Sequence, residues 1–188
     1  TSQRLQVGNG KKPKVIHRTR SSDLPRRPPL PKVRAGSAGP HFTIHSMSVL
    51  IVGSTALDSI KTPHAENPRL LGGSASHAAV AASFFSPVKL VGVVGADFPK
   101  KYLQLYRRHG IDLAGLQIKP GKTFHWSGEY EVNLNNRRTL LTELGVFETF
   151  SPELPQAYQA SPYVLLANIA PALQHHVLNQ MRRPKFVV

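Results

Sequence analysis

From Met47 onward, short continuous apolar runs alternate along the chain with stretches of helical spacing. A β-branched run at 48–53 ends at a glycine, which is typical of a strand buried on both faces. Small apolar side chains recur at helical spacing over 74–85, which predicts a helix with Ser74 or Ser76 available as its N-cap. The same patterns predict further strands at 88–94, 113–118, 163–167 and 185–188, and helices at 98–109 and 171–181.

Strands that alternate with helices predict an α/β fold, in which a mostly parallel sheet has helices on both faces. Residues 123–142 depart from this rhythm, because two strand-like halves flank the turn pair Asn135-Asn136. Aromatic residues recur at even spacing in this hairpin and should share one face: Phe124, Trp126, Tyr130. We expect the hairpin to be a lid, although it could equally pack flat on the core or on a second subunit.

Basic residues are concentrated ahead of Met47. The 188 residues contain 24 Lys and Arg against 10 Asp and Glu, a net charge of +14, and residues 1–46 alone contribute +9. Prolines cluster at 25–31 in the same stretch, so we expect 1–46 to be a disordered extension. It could be a tether for nucleic acid or membrane, a transit peptide, or a segment outside a native protein that starts at Met47.

Composition excludes several classes of site and partner. The chain contains no cysteine, which excludes disulfides, thiolate metal sites and cysteine nucleophiles. No apolar run approaches the ~20 residues that a membrane helix needs, so we expect no membrane partner. Phe42 is the sole aromatic residue among the basic residues of 1–46, which argues against nucleic acid as a partner.

Motifs for metal, phosphate or covalent chemistry do not hold. Adjacent histidines on a helix diverge by about 100°, so His175 and His176 are interpreted as surface residues and no metal site is predicted. A P-loop needs four residues between its glycines, whereas Gly115 and Gly121 are separated by five. The Gly-x-Ser-x-Gly elbow of serine hydrolases is absent.

An acid and a glycine pair remain as candidate chemistry. Asp58 follows the first strand, where a carboxylate can accept hydrogen bonds from two adjacent hydroxyls of a polyol. Gly72 and Gly73 precede the first helix, where a ligand can approach the backbone and the first helical amides are unpaired. Alternatively, Asp58 is a turn residue and the glycines only form a tight corner. The residues alone leave both interpretations open.

The order and spacing of these motifs resemble the ribokinase-like, or PfkB, carbohydrate kinases over residues 47–188. That family has a strand followed by Gly-Ser and an Asp, and then a Gly-Gly pair that opens an alanine-rich helix. Its later motifs have counterparts here: Gly95-Ala96-Asp97 for Gly-x-Asp, Gly110-Ile111-Asp112 for Gly-Val-Asp, and Thr123-Phe124 at the start of the β-lid.

The resemblance implies a set of substrate-binding residues. Asp58 would bind substrate hydroxyls, the glycine pair would contribute backbone contacts, and two lid aromatics would cover the substrate. A histidine stands where the family usually has Asn, which leaves the identity of the sugar open. The implied residues are Asp58, Gly72, Gly73, His77, Phe124, Trp126 and Asn168.

The resemblance further implies a three-layer ribokinase-like sandwich and a cytoplasmic kinase that uses ATP and Mg²⁺. Such an enzyme transfers the γ-phosphate to a hydroxyl of a sugar or nucleoside, and the lid could mediate a homodimer. The family's catalytic base, in a Gly-Ala-Gly-Asp motif, and its nucleotide contacts lie in the C-terminal half. No such motif occurs here, and the last predicted strand lacks its following loop. We therefore expect an incomplete domain, without catalytic residues and inactive alone.

Two alternatives of other classes stay open. One is a non-catalytic sugar-binding or regulatory module that retains the pocket. The other is a nucleic-acid-binding protein that acts through the basic residues of 1–46, whose binding would depend steeply on salt.

Overall fold

The computed structural model describes residues 47–188, and the predicted basic extension at 1–46 lies outside the described residues. No helix within 47–188 is long and apolar enough to cross a membrane. In chain order the strands are β1 Val49–Val52, β2 Ala56–Thr62, β3 Ala65–Gly72, β4 Val88–Gly95, β5 Asp112–Lys119, β6 His125–Tyr130, β7 Arg137–Glu143, β8 Tyr163–Leu166 and β9 Phe186–Val187. The helices are α1 Ser74–Ala82, α2 Lys100–Arg108 and α3 Pro171–Gln180.

Five strands form a parallel core sheet in the order β5-β4-β1-β8-β9. Its two faces are buried by different helices, because successive side chains of β1 point to opposite sides. Leu50 belongs to the same buried cluster as Val177 of α3. Ile51 belongs to the opposite cluster, with Ala79 of α1 and Tyr106 of α2. Helices therefore cover both faces of the sheet, which confirms the predicted α/β fold.

The remaining four strands form a second sheet, which we call the lid sheet, in the order β3-β2-β6-β7. Two antiparallel hairpins, β2–β3 and β6–β7, meet along a parallel β2–β6 seam. The predicted β6–β7 hairpin is present, and the structure adds strands β2 and β3, which the sequence did not predict. The first hairpin escaped prediction because most of Ala65–Gly72 is exposed and shows no apolar alternation.

Candidate functional site

The predicted substrate residues lie around the place where β1 leaves the core sheet and the chain enters the lid sheet. Ser54, just after β1, accepts a hydrogen bond at its Oγ from the Ser74 amide (3.0 Å) and at its carbonyl from the Ala75 amide (3.0 Å). The backbone amide of Asn168, just after β8, donates to Ser74 Oγ (3.1 Å). These bonds hold the start of α1 against the carboxyl ends of β1 and β8, where open α/β sheets bind ligands.

The helix begins without the predicted serine cap. Gly73 occupies the N-cap position with φ +91° and has no side chain to cap the helix, so the Ser74 amide is satisfied by Ser54 Oγ instead. The Ser74 hydroxyl is instead engaged by Ser54 Oγ (3.0 Å) and by the Asn168 amide. A Cβ at position 73 would overlap the Ser54 carbonyl oxygen, so the positive φ and the close approach both require glycine here.

The carboxylate of Asp58 rests directly on the backbone of Gly72. A Cβ at position 72 would overlap both carboxylate oxygens, so Gly72, the first glycine of the pair, makes room for this side chain. Asp58 is half-buried, and no group within residues 47–188 donates a hydrogen bond to its carboxylate. Burial raises its pKa above the ordinary value, while the nearby imidazoles of His77 and His125 act in the opposite direction. A ligand with hydroxyl donors would supply the missing partners.

His77, in the first turns of α1, has a defined tautomer. Its Nδ1 lies 2.9 Å from the Gly73 carbonyl oxygen. Because a carbonyl can only accept, Nδ1 carries the hydrogen, and Nε2 is the ring nitrogen left to face another partner. His77 is exposed and lies close enough to Asp58 to lower the pKa of that carboxyl. A substrate hydroxyl could therefore donate to either group.

Across the lid sheet beside Asp58, His125 makes two polar contacts that the sequence did not predict. His125 of β6 lies with Nε2 2.9 Å from Ser59 Oγ and with Nδ1 3.5 Å from Glu143 Oε2. Ser59 and His125 are 66 positions apart, so no local spacing could reveal their contact.

The two predicted lid aromatics are placed differently. Trp126 is opposite Asp58 in the β2–β6 register, which puts both side chains on one face of the lid sheet. Its indole lies over Gly128 and donates to Thr139 Oγ1 (3.3 Å). Phe124 precedes β6 and stacks on Phe147 at 5.4 Å between ring centroids, so it lies at the base of the lid.

An open groove of about 940 Å³ lies at the far ends of the two lid hairpins. Its lining includes Lys61, Tyr130 and Arg138, and it includes none of the predicted substrate residues. Within 47–188 no three His, Asp or Glu side chains converge as metal ligands would.

Comparison with known proteins agrees with this architecture. No family model matches the chain. A cytidine kinase from Thermococcus kodakarensis is 27% identical over 144 residues, which are 76% of this chain and 51% of that protein. The chain thus spans about half the length of this curated relative.

Solved structures share the fold at lower identity. The nucleoside kinase of Methanocaldococcus jannaschii, an archaeal member of the ribokinase family, matches with a TM-score of 0.55 at 18% identity, covering 74% of this chain and 50% of that one. A candidate ribokinase from Agrobacterium tumefaciens matches with a TM-score of 0.56 at 20% identity, covering 76% and 52%. The described residues therefore have the ribokinase-like fold, and the resemblance of this chain to the PfkB, or ribokinase-like, kinases is confirmed.

Proposed function

We propose that this chain is the acceptor-binding and lid part of an ATP-dependent kinase that phosphorylates a hydroxyl of a sugar or nucleoside. The observation that carries the proposal is the carboxylate of Asp58, which is half-buried against Gly72 and lacks a donor within 47–188. Leaving such a group unsatisfied costs stability, so proteins keep one where a ligand completes it.

Each predicted residue then has a task in holding the acceptor. Asp58 accepts hydrogen bonds from two substrate hydroxyls, and Nε2 of His77 accepts a third. The backbone of Gly72 and Gly73 allows close approach, and the side chain of Asn168 reaches the ligand from the end of β8. Trp126 covers the substrate from the lid sheet, and Phe124 supports the lid at its base.

The resemblance to ribokinase-like kinases implies the chemistry of the whole enzyme. ATP with Mg²⁺ supplies the phosphoryl group when bound, and its contacts belong to the part of the enzyme beyond the acceptor half. The residues of this chain orient the accepting hydroxyl and keep water from it, which is the main task of a protein in phosphoryl transfer. We propose that the 188-residue chain alone transfers no phosphoryl group. Turnover by this chain, with contaminating kinase excluded, would contradict that.

A nucleoside is the first acceptor to test, because the relatives include a cytidine kinase and a nucleoside kinase. The experiment titrates the 188-residue chain with cytidine, ribose and fructose. Trp126 is the single tryptophan, so its fluorescence reports on the lid directly. We expect one of these ligands to bind, and Asp58→Ala to weaken its binding by at least ~100-fold, since two hydrogen bonds to a carboxylate are lost.

Glu148→Ala is the matched control, because Glu148 is an exposed acid outside the site. It should leave the affinity unchanged. Equal affinity of wild type and Asp58→Ala would show that Asp58 does not bind the acceptor. Binding of none of the three ligands by the wild-type chain would overturn the proposed function for this set of acceptors.

A further inference from the structure

One carboxylate joins the core sheet to both hairpins of the lid sheet. Asp97 follows β4, and its Oδ1 accepts hydrogen bonds from the amide and from the hydroxyl of Thr123, each at 2.7 Å. Its Oδ2 accepts from Nη2 of Arg69 at 2.8 Å. Thr123 leads into β6 and Arg69 belongs to β3, so the two lid hairpins are held by the same side chain.

The surroundings of Asp97 keep it ionised and in place. Burial acts to raise its pKa, but the hydrogen bonds from Arg69 and Thr123 outweigh burial and hold the pKa below its ordinary value. The Thr123 hydroxyl is buried and also accepts from the Gly95 amide at 3.0 Å. At neutral pH the contact is therefore a charged one that links strand β4 to the entry of the lid.

Arg69 is held at an unusual backbone conformation next to Asp58. Its φ is +54°, a region that a non-glycine residue occupies only when its neighbours fix it. The β2–β3 register shifts between Asp58 and Ile60, so Arg69 lies in a β-bulge opposite Ser59. Bulges redirect the side chains beside them, and the neighbour here is the proposed substrate carboxylate.

Three groups of Arg69 are fixed by separate contacts. The guanidinium is held by Asp97, the carbonyl oxygen accepts from the Tyr102 hydroxyl at 2.8 Å, and the amide donates to Ser59 Oγ at 3.2 Å. The hydroxyl of Ser59 also contacts His125. A continuous chain of contacts therefore runs from the core, through the bulge, to the residue that follows Asp58.

We propose that Arg69 and Asp97 form a latch that positions Asp58 and the lid sheet for the acceptor. Both are positioning residues, because they act through the bulge and through Thr123 and neither is required to touch the substrate. The expected effect of the latch on ligand affinity rests on the proposed function. Its expected effect on the order of the lid sheet rests on the described contacts alone.

The latch acts on geometry more than on global stability. The side chains of Arg69 and Asp97 are 46% and 30% exposed, and ion pairs this exposed contribute little to the free energy of unfolding. Breaking the pair should therefore loosen the lid and weaken acceptor binding while the core sheet stays folded.

The experiment compares Asp97→Asn and Arg69→Met with the control Arg138→Met. Arg138 forms an ion pair of similar length, 2.7 Å to Glu129, at the far end of the lid sheet. Hydrogen exchange of the unliganded chain is measured over β2, β3 and the core strand β4. We expect Asp97→Asn and Arg69→Met to speed exchange in β2 and β3 by ~10-fold or more, with β4 unchanged, and Arg138→Met to leave residues 56–59 unaffected.

Ligand affinity supplies the second measurement. With the acceptor that the wild type binds, both latch variants should raise Kd by about 10-fold, the double variant should be no worse than Asp97→Asn, and Arg69→Lys should recover part of the loss. The control should keep the wild-type Kd.

The outcomes separate the latch from the proposed function. Unchanged exchange in both latch variants overturns the latch, whatever the ligand data show. Faster exchange with an unchanged Kd overturns the positioning of Asp58. A wild-type chain that binds no acceptor overturns the proposed function, while the exchange experiment still decides on the latch. If Asp97→Asn fails to fold, Arg69→Met alone carries the comparison.

Discussion

Substituting alanine for Gly72 tests the contact between this glycine and Asp58. The φ of Gly72 is not positive, so the backbone itself tolerates a side chain. A Cβ would nevertheless overlap the carboxylate of Asp58, and the acid would have to rotate away. We therefore expect Gly72→Ala to reproduce the binding defect of Asp58→Ala although the acid is still present.

The structure gives the size of the effect. Forcing an extra carbon into an occupied space costs roughly 1–3 kcal/mol of unfolding free energy. Displacing Asp58 removes hydrogen bonds worth roughly 1.5–3 kcal/mol each, so affinity should fall by at least ~100-fold. In the Asp58→Ala background the space is vacant. There Gly72→Ala should change Kd by less than about 2-fold and can stabilise by about 0.4–1 kcal/mol, because it restricts the unfolded chain.

The assay is a double-mutant cycle on the two positions. Thermal or urea unfolding gives the stability of the four proteins, and Trp126 fluorescence gives their Kd values for the acceptor. The reasoning predicts a coupling of about 1–3 kcal/mol in stability, of the size seen for residues in contact. Additive effects, with Gly72→Ala equally harmful whether or not Asp58 is present, would refute the assigned contact.

Two further predictions concern the same site. Gly73→Ala should destabilise the protein in every background, including Asp58→Ala. Its strain comes from φ +91° and from the Ser54 carbonyl rather than from a side chain that can move. Equal stability of Gly73→Ala and wild type in urea unfolding would contradict this. Asp58→Asn should raise the Tm of the unliganded protein at pH 7. Burial raises the folded-state pKa of Asp58 above the ordinary 3.8. The protonated acid therefore contributes its full stabilisation below about pH 3.8, and this stabilisation is lost as pH rises through the folded-state pKa. Tm values measured from pH 3 to 8 should converge at the acid end, and a lower Tm for Asp58→Asn at pH 7 would disprove the destabilising charge.

The core sheet and its helices could be predicted because burial requires apolar residues at regular positions in these elements. Ile51 and Val91, for example, belong to β-branched runs that are buried on both faces, and such runs can be recognised in the sequence without tertiary information. Strand β3 could not be predicted, because Pro68 and Arg69, which has a left-handed backbone, interrupt its pattern. Its extended conformation depends on pairing with β2. Long-range contacts determine this strand, and local patterns cannot show them.

The candidate site divides in the same way. Asp58 and the glycine pair form a local motif, and the structure brings them into contact. His125 shows no signal in the sequence, since its partner Ser59 is 66 positions away. The β2–β6 register puts Trp126 on the side of Asp58, which spacing within the hairpin could not show. Spacing could not show that the ring of Phe124 stacks on Phe147, because that residue lies beyond the lid hairpin.

The parallel seam between β2 and β6 has a consequence for folding. Parallel neighbours cannot be joined by a tight turn, and here the chain passes through β3, α1, β4, α2 and β5 before it returns as β6. Closing so long a loop costs entropy before the seam repays it, so contacts of this kind form late. In pulse-labelled refolding we expect amides of β1 and β4, which pair across a shorter stretch of chain and are buried, to be protected before those of the seam. A chain that has paired β1 with β4 but not formed this seam would hold Asp58 without Trp126 opposite it, so the proposed acceptor site would be incomplete.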